Sequence, residues 1–223
     1  MARSRDGSAK SYGQYCGVAR ALDVLGERWT LLVVRELLMG PKRYTDLRDG
    51  LPGIATDLLT ARLRTLQDAG LVRRRQLPRP APATIYELTE SGRLVAPALL
   101  ALGRVGLSML GAPEAGEELR PELIALSLRL SFRPSELPDL DESYQLEIDE
   151  EPFVITVSGG TVDTAPGTIP DPAMTLATDS ATLVAMLRRE VTPSDGLADG
   201  RAQLNGDATA LERFIDAFAY PTG

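Results

Sequence analysis

Thr56, Thr60 and Arg64 recur every fourth residue, and together they carry the groups that read the edges of base pairs. An arginine bonds bidentately to guanine, and a threonine offers both a hydroxyl and a methyl. Taking 100° per residue from Ile54, these three share one side of segment 55–69 with Asp57 and Ala61, while Leu58, Leu59, Leu63, Leu66 and Ala69 share the other. Arg62 projects from the apolar side, which favours an internal ion pair with Asp46 or Glu36 over a direct contact with DNA. Further basic groups flank this segment. Lys42 and Arg43 precede it and are candidate phosphate contacts, and Arg73, Arg74, Arg75 and Arg79 follow it, where they could reach backbone phosphate or the minor groove. Strand alternation puts Arg74 on the face opposite Arg73 and Arg75. Cys16, the single cysteine, has two readings: a thiolate stabilised by Arg20 one helical turn on, or a small buried residue.

Other chemistries are excluded by composition. The chain of 223 residues has no histidine, so it lacks the commonest general acid–base and the commonest transition-metal ligand. One cysteine makes no internal disulfide and no cysteine-rich zinc site, in keeping with a reducing compartment. No phosphate loop, nucleophile elbow or motif-spaced carboxylate pair is found, so neither an enzyme, a cofactor nor a metal is expected. Net charge is −7, but it is polarised. Residues 1–112 hold 17 Lys or Arg against 10 Asp or Glu, and residues 113–223 hold 7 against 21. A basic half joined to an acidic one suits a chain of which one part meets phosphates, although acidic surfaces also serve solubility alone.

The elements that must position these groups follow from periodicity and punctuation. Segments 16–25 and 30–38 are apolar at helical spacing, and Gly40-Pro41 closes the second. A brief helical turn at 44–49 and the turn Leu51-Pro52-Gly53 lead into the helix at 55–69, which Gly70 ends. Runs 71–75 and 84–88 are strand-like and flank the Pro-rich 76–83, an exposed hairpin tip. Thr89-Glu90-Ser91-Gly92 carries capping chemistry for one long helix running to Leu110. Three helices, a recognition helix, a hairpin and a long helix make the order of a winged helix-turn-helix.

Residues 15 to about 110 also resemble the HxlR family of bacterial regulators. The resemblance is carried by Cys16-Gly17-Val18, Leu25-Gly26-Glu27-Arg28-Trp29-Thr30, Arg43-Tyr44-Thr45-Asp46-Leu47, Pro52-Gly53-Ile54, Leu59-Thr60-Ala61-Arg62-Leu63, Gly70-Leu71-Val72 and Tyr86-Glu87-Leu88-Thr89, in that order. It implies a homodimer bound to pseudo-palindromic promoter sites in double-stranded DNA, with the long helix and the first helix as the dimer seam. It also implies a redox-sensing reading of Cys16, since some relatives sense oxidants through a cysteine near this position. Two departures stand out. Gly17 replaces a usual proline, and Ala55-Thr56-Asp57 replaces a serine and a basic residue at the start of the recognition helix, so the operator sequence does not transfer.

Beyond the acidic link 113–120 the pattern changes. A helix at 123–130, strands at 143–148, 153–158, 161–164 and 173–178, a helix capped by Asp179, a short strand at 202–204 and a last helix capped by Asp207 are expected. This part resembles sterol-carrier-protein-like domains through Asp171-Pro172-Ala173-Met174-Thr175-Leu176, Met186-Leu187, Asp199-Gly200-Arg201 and Leu204-Asn205-Gly206-Asp207 with Leu211 and Phe214. The resemblance implies a sheet covered by helices around an apolar tunnel. Leu183, Leu187, Phe214 and Phe218 are its candidate lining, or core residues at helical spacing.

The expected fold is therefore α+β, an N-terminal winged helix-turn-helix followed by a sterol-carrier-like sheet-and-helix domain. Its expected parts are a disordered arm at 1–14, a DNA-binding and dimerisation domain at 15–112, a linker at 113–120 and a sterol-carrier-like, ligand-binding domain at 121–220. The arm is followed by no apolar signal core and no apolar run approaches a membrane span, so a cytoplasmic location is expected. The expected function is transcription regulation under the control of an apolar small molecule. The alternative is a lipid carrier that uses the winged helix for dimerisation.

Overall fold

The structure, a computed structural model of the chain, describes residues 11–78, 82–134 and 139–221. By contact the chain divides into two units, Met1–Leu99 and Leu100–Gly223.

In the first unit, apolar residues at helical spacing form α1 (Gly17–Leu25), α2 (Thr30–Leu38), α3 (Tyr44–Asp49) and α4 (Thr56–Asp68). Val33, Val34, Leu37, Leu47, Leu59, Leu63 and Leu66 from three of these helices meet in one core. The strands are β1 (Lys42–Arg43), β2 (Val72–Gln76) and β3 (Thr84–Leu88), ordered β1-β3-β2 and antiparallel throughout. β1 is too short to carry a pattern of its own. It forms because β3 lies beside it, with Lys42 opposite Tyr86 and Arg43 opposite Ile85; α3 starts directly after it, capped by Asp46, which accepts from the Arg43 amide at 2.9 Å. Of the arm expected at 1–14, residues 11–14 are described, and there Ser11 and Tyr12 both hydrogen-bond to Asp23 at 2.9 Å.

The long helix expected after Thr89 is two helices, α5 (Glu90–Arg93) and α6 (Ala96–Leu107). The Thr89 hydroxyl caps α5 by accepting from the Gly92 amide at 3.0 Å. Gly92 has no side chain because a Cβ there would collide with the Leu71 carbonyl. Pro97 explains the break. It has no N–H to donate, its ring crowds the carbonyl four residues back, and it is tolerated in the first turn of a restarted helix.

α6 crosses the division between the units, so the division lies upstream of the expected link at 113–120. Within the second unit Leu107 is buried in the core, and a Cβ on Gly103 would stand 2.9 Å from a Leu130 methyl. Arg188 donates to the Gly111 carbonyl at 2.9 Å. The remaining elements are α7 (Pro121–Ser131), β4 (Glu142–Ile148), β5 (Glu151–Ser158), β6 (Thr161–Pro166), β7 (Met174–Thr178), α8 (Ser180–Leu187), α9 (Pro193–Ala198), β8 (Ala202–Gly206) and α10 (Ala208–Phe218). Sheet order is β6-β5-β4-β7-β8, with β4 and β7 parallel and the other neighbours antiparallel.

Alternation along β4 and β5 sends Tyr144, Leu146, Ile148, Phe153, Ile155 and Val157 to one face, where helices cover them. β4 and β5 join through a two-residue turn in which Asp149 and Glu150 both have positive φ, 50° and 70°. The Asp149 carboxylate accepts from the amide and hydroxyl of Ser180, which holds this unusual turn against the start of α8. Asp179 and Asp207 cap α8 and α10, accepting from the Thr182 amide at 2.8 Å and the Thr209 amide at 2.9 Å.

Candidate nucleic-acid interface

α3 and α4 are the two helices of the helix-turn-helix. Leu51 and Ile54, both buried, anchor the turn between them, and Gly53 supplies φ 87° there. α4 buries Leu59, Leu63 and Leu66 and leaves Thr56, Asp57, Thr60, Ala61 and Arg64 exposed. Leu58 is half-buried. Ala69, expected on the apolar side, is exposed because it caps α4 beyond the last turn that meets the core.

The Thr60 hydroxyl donates to the Thr56 carbonyl at 3.0 Å and lies 3.2 Å from the Tyr44 hydroxyl, which itself donates to the Thr56 carbonyl at 2.9 Å. The proton of Thr60 is thus spent within the protein. What it presents outward is a methyl and a lone pair, suited to a thymine methyl or a base amino group rather than to a base acceptor. Tyr44 in turn ties α3 to the first turn of α4. The Arg64 side chain is 85% exposed, with Asp68 3.8 Å away on the next turn. Such a pair is loose and screened by salt, so it leaves the guanidinium able to reach a partner. Asp57 sits in the first turn of α4, where a carboxylate suits the positive end of the helix dipole.

Arg62 is an internal ion-pair partner, but neither of Asp46 nor of Glu36. It pairs with Glu27 at 3.1 Å and donates to the Arg28 carbonyl at 3.1 Å, tying α4 to the turn before α2. Asp46 is engaged in capping α3, and Glu36 pairs with Arg35 at 2.8 Å.

The wing sorts its basic residues onto two faces. Arg43 and Arg75 both stand opposite Ile85, and Arg73 stands opposite Glu87, so these five share one face. Lys42 and Arg74 both stand opposite Tyr86, on the other face. The exposed Arg74 lies 3.4 Å from the Thr84 hydroxyl. Arg73 and Arg75 converge on Glu87, the first through Nε at 2.7 Å, the second through Nε at 3.0 Å and Nη2 at 3.2 Å. The hydrogen bond from Arg75, with that from Arg73, outweighs burial and holds the Glu87 carboxyl below the usual carboxylate range. Arg79 lies outside the described residues.

Cys16 is exposed, which overturns its reading as a buried residue. Arg20 stands 3.8 Å from Asp23, its side chain 68% exposed. Trp29, at φ 77°, packs against the first core with the Arg28 guanidinium 5.7 Å from its ring centroid. In the second unit Leu183, Leu187, Phe214 and Phe218 are all fully buried within one core. Phe214 and Phe218 have ring centroids 4.8 Å apart, Tyr144 stands edge-on to Phe214 at 5.2 Å, and Phe132 lies 5.6 Å from Phe218. The Tyr144 hydroxyl escapes this apolar cluster by donating to Glu142 at 2.7 Å, and Arg213 holds Glu142 from α10. Burial, followed by that bond, pushes the Tyr144 hydroxyl well above its usual range. Among the described residues no group of three or more His, Cys, Asp or Glu side chains is placed to hold a metal ion, and no helix is long and apolar enough to cross a membrane.

The HxlR-like helix-turn-helix model matches residues 24–114, and the SCP-2 sterol transfer family model matches residues 128–219. The chain is similar to the HTH-type transcriptional regulator sll1512 of Synechocystis sp., with 39% identity over 94 residues, 42% of this chain and 70% of that protein. It is also similar to the HTH-type transcriptional regulator YodB of Bacillus subtilis, with 38% identity over 72 residues, 32% of this chain and 64% of that one. Among solved structures, the oxidized form of the redox regulator HypR shares 34% identity across 41% of this chain and 94% of its own, with a TM-score of 0.39.

Proposed function

Because the chain belongs to the HxlR-like helix-turn-helix family and its second unit to the SCP-2 sterol transfer family, neither of them catalytic, we propose that it binds pseudo-palindromic promoter DNA as a homodimer under the control of an apolar small molecule. The observation that carries this reading is the open face of α4. Thr56, Thr60 and Arg64 stand exposed on the second helix of a helix-turn-helix whose opposite face is locked into a core. In this geometry the N-terminal part of such a helix enters the major groove.

The dimer reading rests on α6, where Leu102, Val105 and Met109 lie exposed at spacings of three and four residues in and just beyond the helix. Large apolar side chains repeated on one helical face suit a self-complementary contact with the same helix of a second copy. Val18 and Leu22 on α1 are likewise exposed. A two-fold dimer would present its recognition helices to half-sites about 34–36 Å apart, one turn of the duplex.

The effector reading rests on the second unit. Its candidate lining, Leu183, Leu187, Phe214 and Phe218, is fully buried in one core, so an apolar occupant held among these side chains would change how that core packs. A ligand with different affinity for two states shifts their balance, and linkage then makes operator affinity depend on ligand. Sedimentation of the purified protein with footprinting on a promoter fragment tests the first part. Two protected half-sites one turn apart, covered by a dimer, support it, and monomeric binding to a single half-site refutes the dimer. Titrating the complex with a long-chain fatty acid and with a sterol tests the second. A shift in DNA affinity with either probe supports the effector reading, and binding of a probe without any change in DNA affinity refutes it.

A further inference from the structure

Ile85 and Glu87 are only 6% and 7% exposed, and they stand outside the cluster of leucines and valines that fills the first unit. They lie on the same face of the wing sheet as Arg43, Arg73 and Arg75, and two of these arginines bond directly to Glu87. The guanidinium groups remain open, with the Arg73 and Arg75 side chains 63% and 47% exposed. The face is therefore a row of cations over one buried carboxylate. An arginine presents to a carboxylate the same planar fork it presents to a phosphate. In the DNA-free protein the Nε and Nη2 edge of Arg75 is already filled by Glu87, and so is the Nε of Arg73.

Resting on the DNA-binding reading above, we propose that this arginine face is the wing's contact with the phosphate backbone of duplex DNA, and that Glu87 acts as a built-in phosphate surrogate which lowers the charge the wing offers by one. Glu87 is a positioning residue. It touches no DNA, but sets how much of the affinity comes from sequence-independent attraction. The consequence is a regulator whose wing adds less non-specific binding than its arginines alone would give, so that discrimination rests more on α4.

The prediction is a charge ladder. Each phosphate neutralised contributes about 0.9 to the slope of log affinity against log salt. Glu87→Gln keeps the shape and an acceptor oxygen but removes the charge. It should steepen the slope by about 0.9, so that the variant loses roughly 3-fold more affinity than wild type between 50 and 200 mM salt. Arg73→Gln should make the slope shallower by a similar amount, and the double variant E87Q/R73Q should return to the wild-type slope. A purely structural role for Glu87 would change affinity or melting temperature without this ordered set of slopes.

The measurement is fluorescence anisotropy on a labelled duplex over a salt series, with thermal melts to confirm that each variant folds. If E87Q alone folds poorly, comparing R73Q with E87Q/R73Q gives the same one-charge step. A steeper slope for E87Q and its reversal in the double variant support the proposal. Wild type binding with a slope that Glu87→Gln leaves unchanged or makes shallower overturns it while leaving the DNA reading intact. Failure of wild type and E87Q to bind at the lowest salt overturns both.

Discussion

The open face of α4 and the ring cluster beneath the second sheet both arise from residues at helical spacing, but they end in opposite environments. On α4 the phase of the helix separates Thr56, Thr60 and Arg64 from the leucines, and the core takes only the leucines. On α8 and α10 the same reasoning groups Leu183, Leu187, Phe214 and Phe218, and all four are fully buried in one core. Periodicity decides which side of a helix is buried. It does not decide whether buried side chains close on each other or leave room for a ligand, because that depends on how several elements meet in space. A surface face is therefore read residue by residue, whereas the shape of an interior is not.

The largest effect that tests this contrast is Phe214→Ala. Truncating a fully buried ring costs about 3–5 kcal/mol, and urea unfolding followed by circular dichroism should show the second unit melting earlier. Half-site binding through α4 should persist, and its loss would show that the two regions are not separable in the way described. Next is Arg64→Ala, expected to cost about 1–3 kcal/mol of binding, or roughly 10- to 100-fold in affinity, and to relax base preference at one operator position without changing thermal stability.

A smaller effect is expected at the caps of the second unit. Asp179→Ala should remove about 1 kcal/mol of stability. The Asp207 carboxyl is held below its usual range first by the Thr209 hydroxyl and amide. For Asp179, burial works to raise the value, but the bonds from Thr182 prevail and lower it. With both depressed in the folded state, their stabilising contribution is complete above the unfolded carboxyl value of about 3.9 and is lost as pH falls through the folded values. Melting temperature should accordingly stay level on this account from neutral pH to about 5 and decline below about 4. Smallest is Tyr44→Phe, which removes the hydroxyl bridging Thr56 and Thr60. About 1 kcal/mol or less is expected in stability, with a change in preference confined to the base that Thr60 meets.

Much of the fold is written locally. Thr89, Asp179 and Asp207 announce helix starts because a side-chain oxygen reaches an amide two or three residues on. The features that escape such reading are set by distant partners or by a single interruption. β1 is a strand only because β3 lies beside it, and Glu27 pairs with Arg62 across 35 residues. The break before α6 had a signal in Pro97, which the continuous apolar spacing of the segment concealed. The neutralisation of the wing arginines had one too. Once strand 72–76 pairs with strand 84–88, Glu87 falls directly opposite Arg73.

The central claim is that the exposed face of α4 reads DNA sequence, and the most direct measurement is a mobility shift of the purified protein on genomic fragments, its own upstream region included, across a salt series with Arg64→Ala alongside. The account predicts selective, salt-sensitive binding to a small subset of fragments, weakened about 10- to 100-fold in the variant. Absence of selective binding at every salt concentration, or selective binding that Arg64→Ala leaves intact, would contradict it.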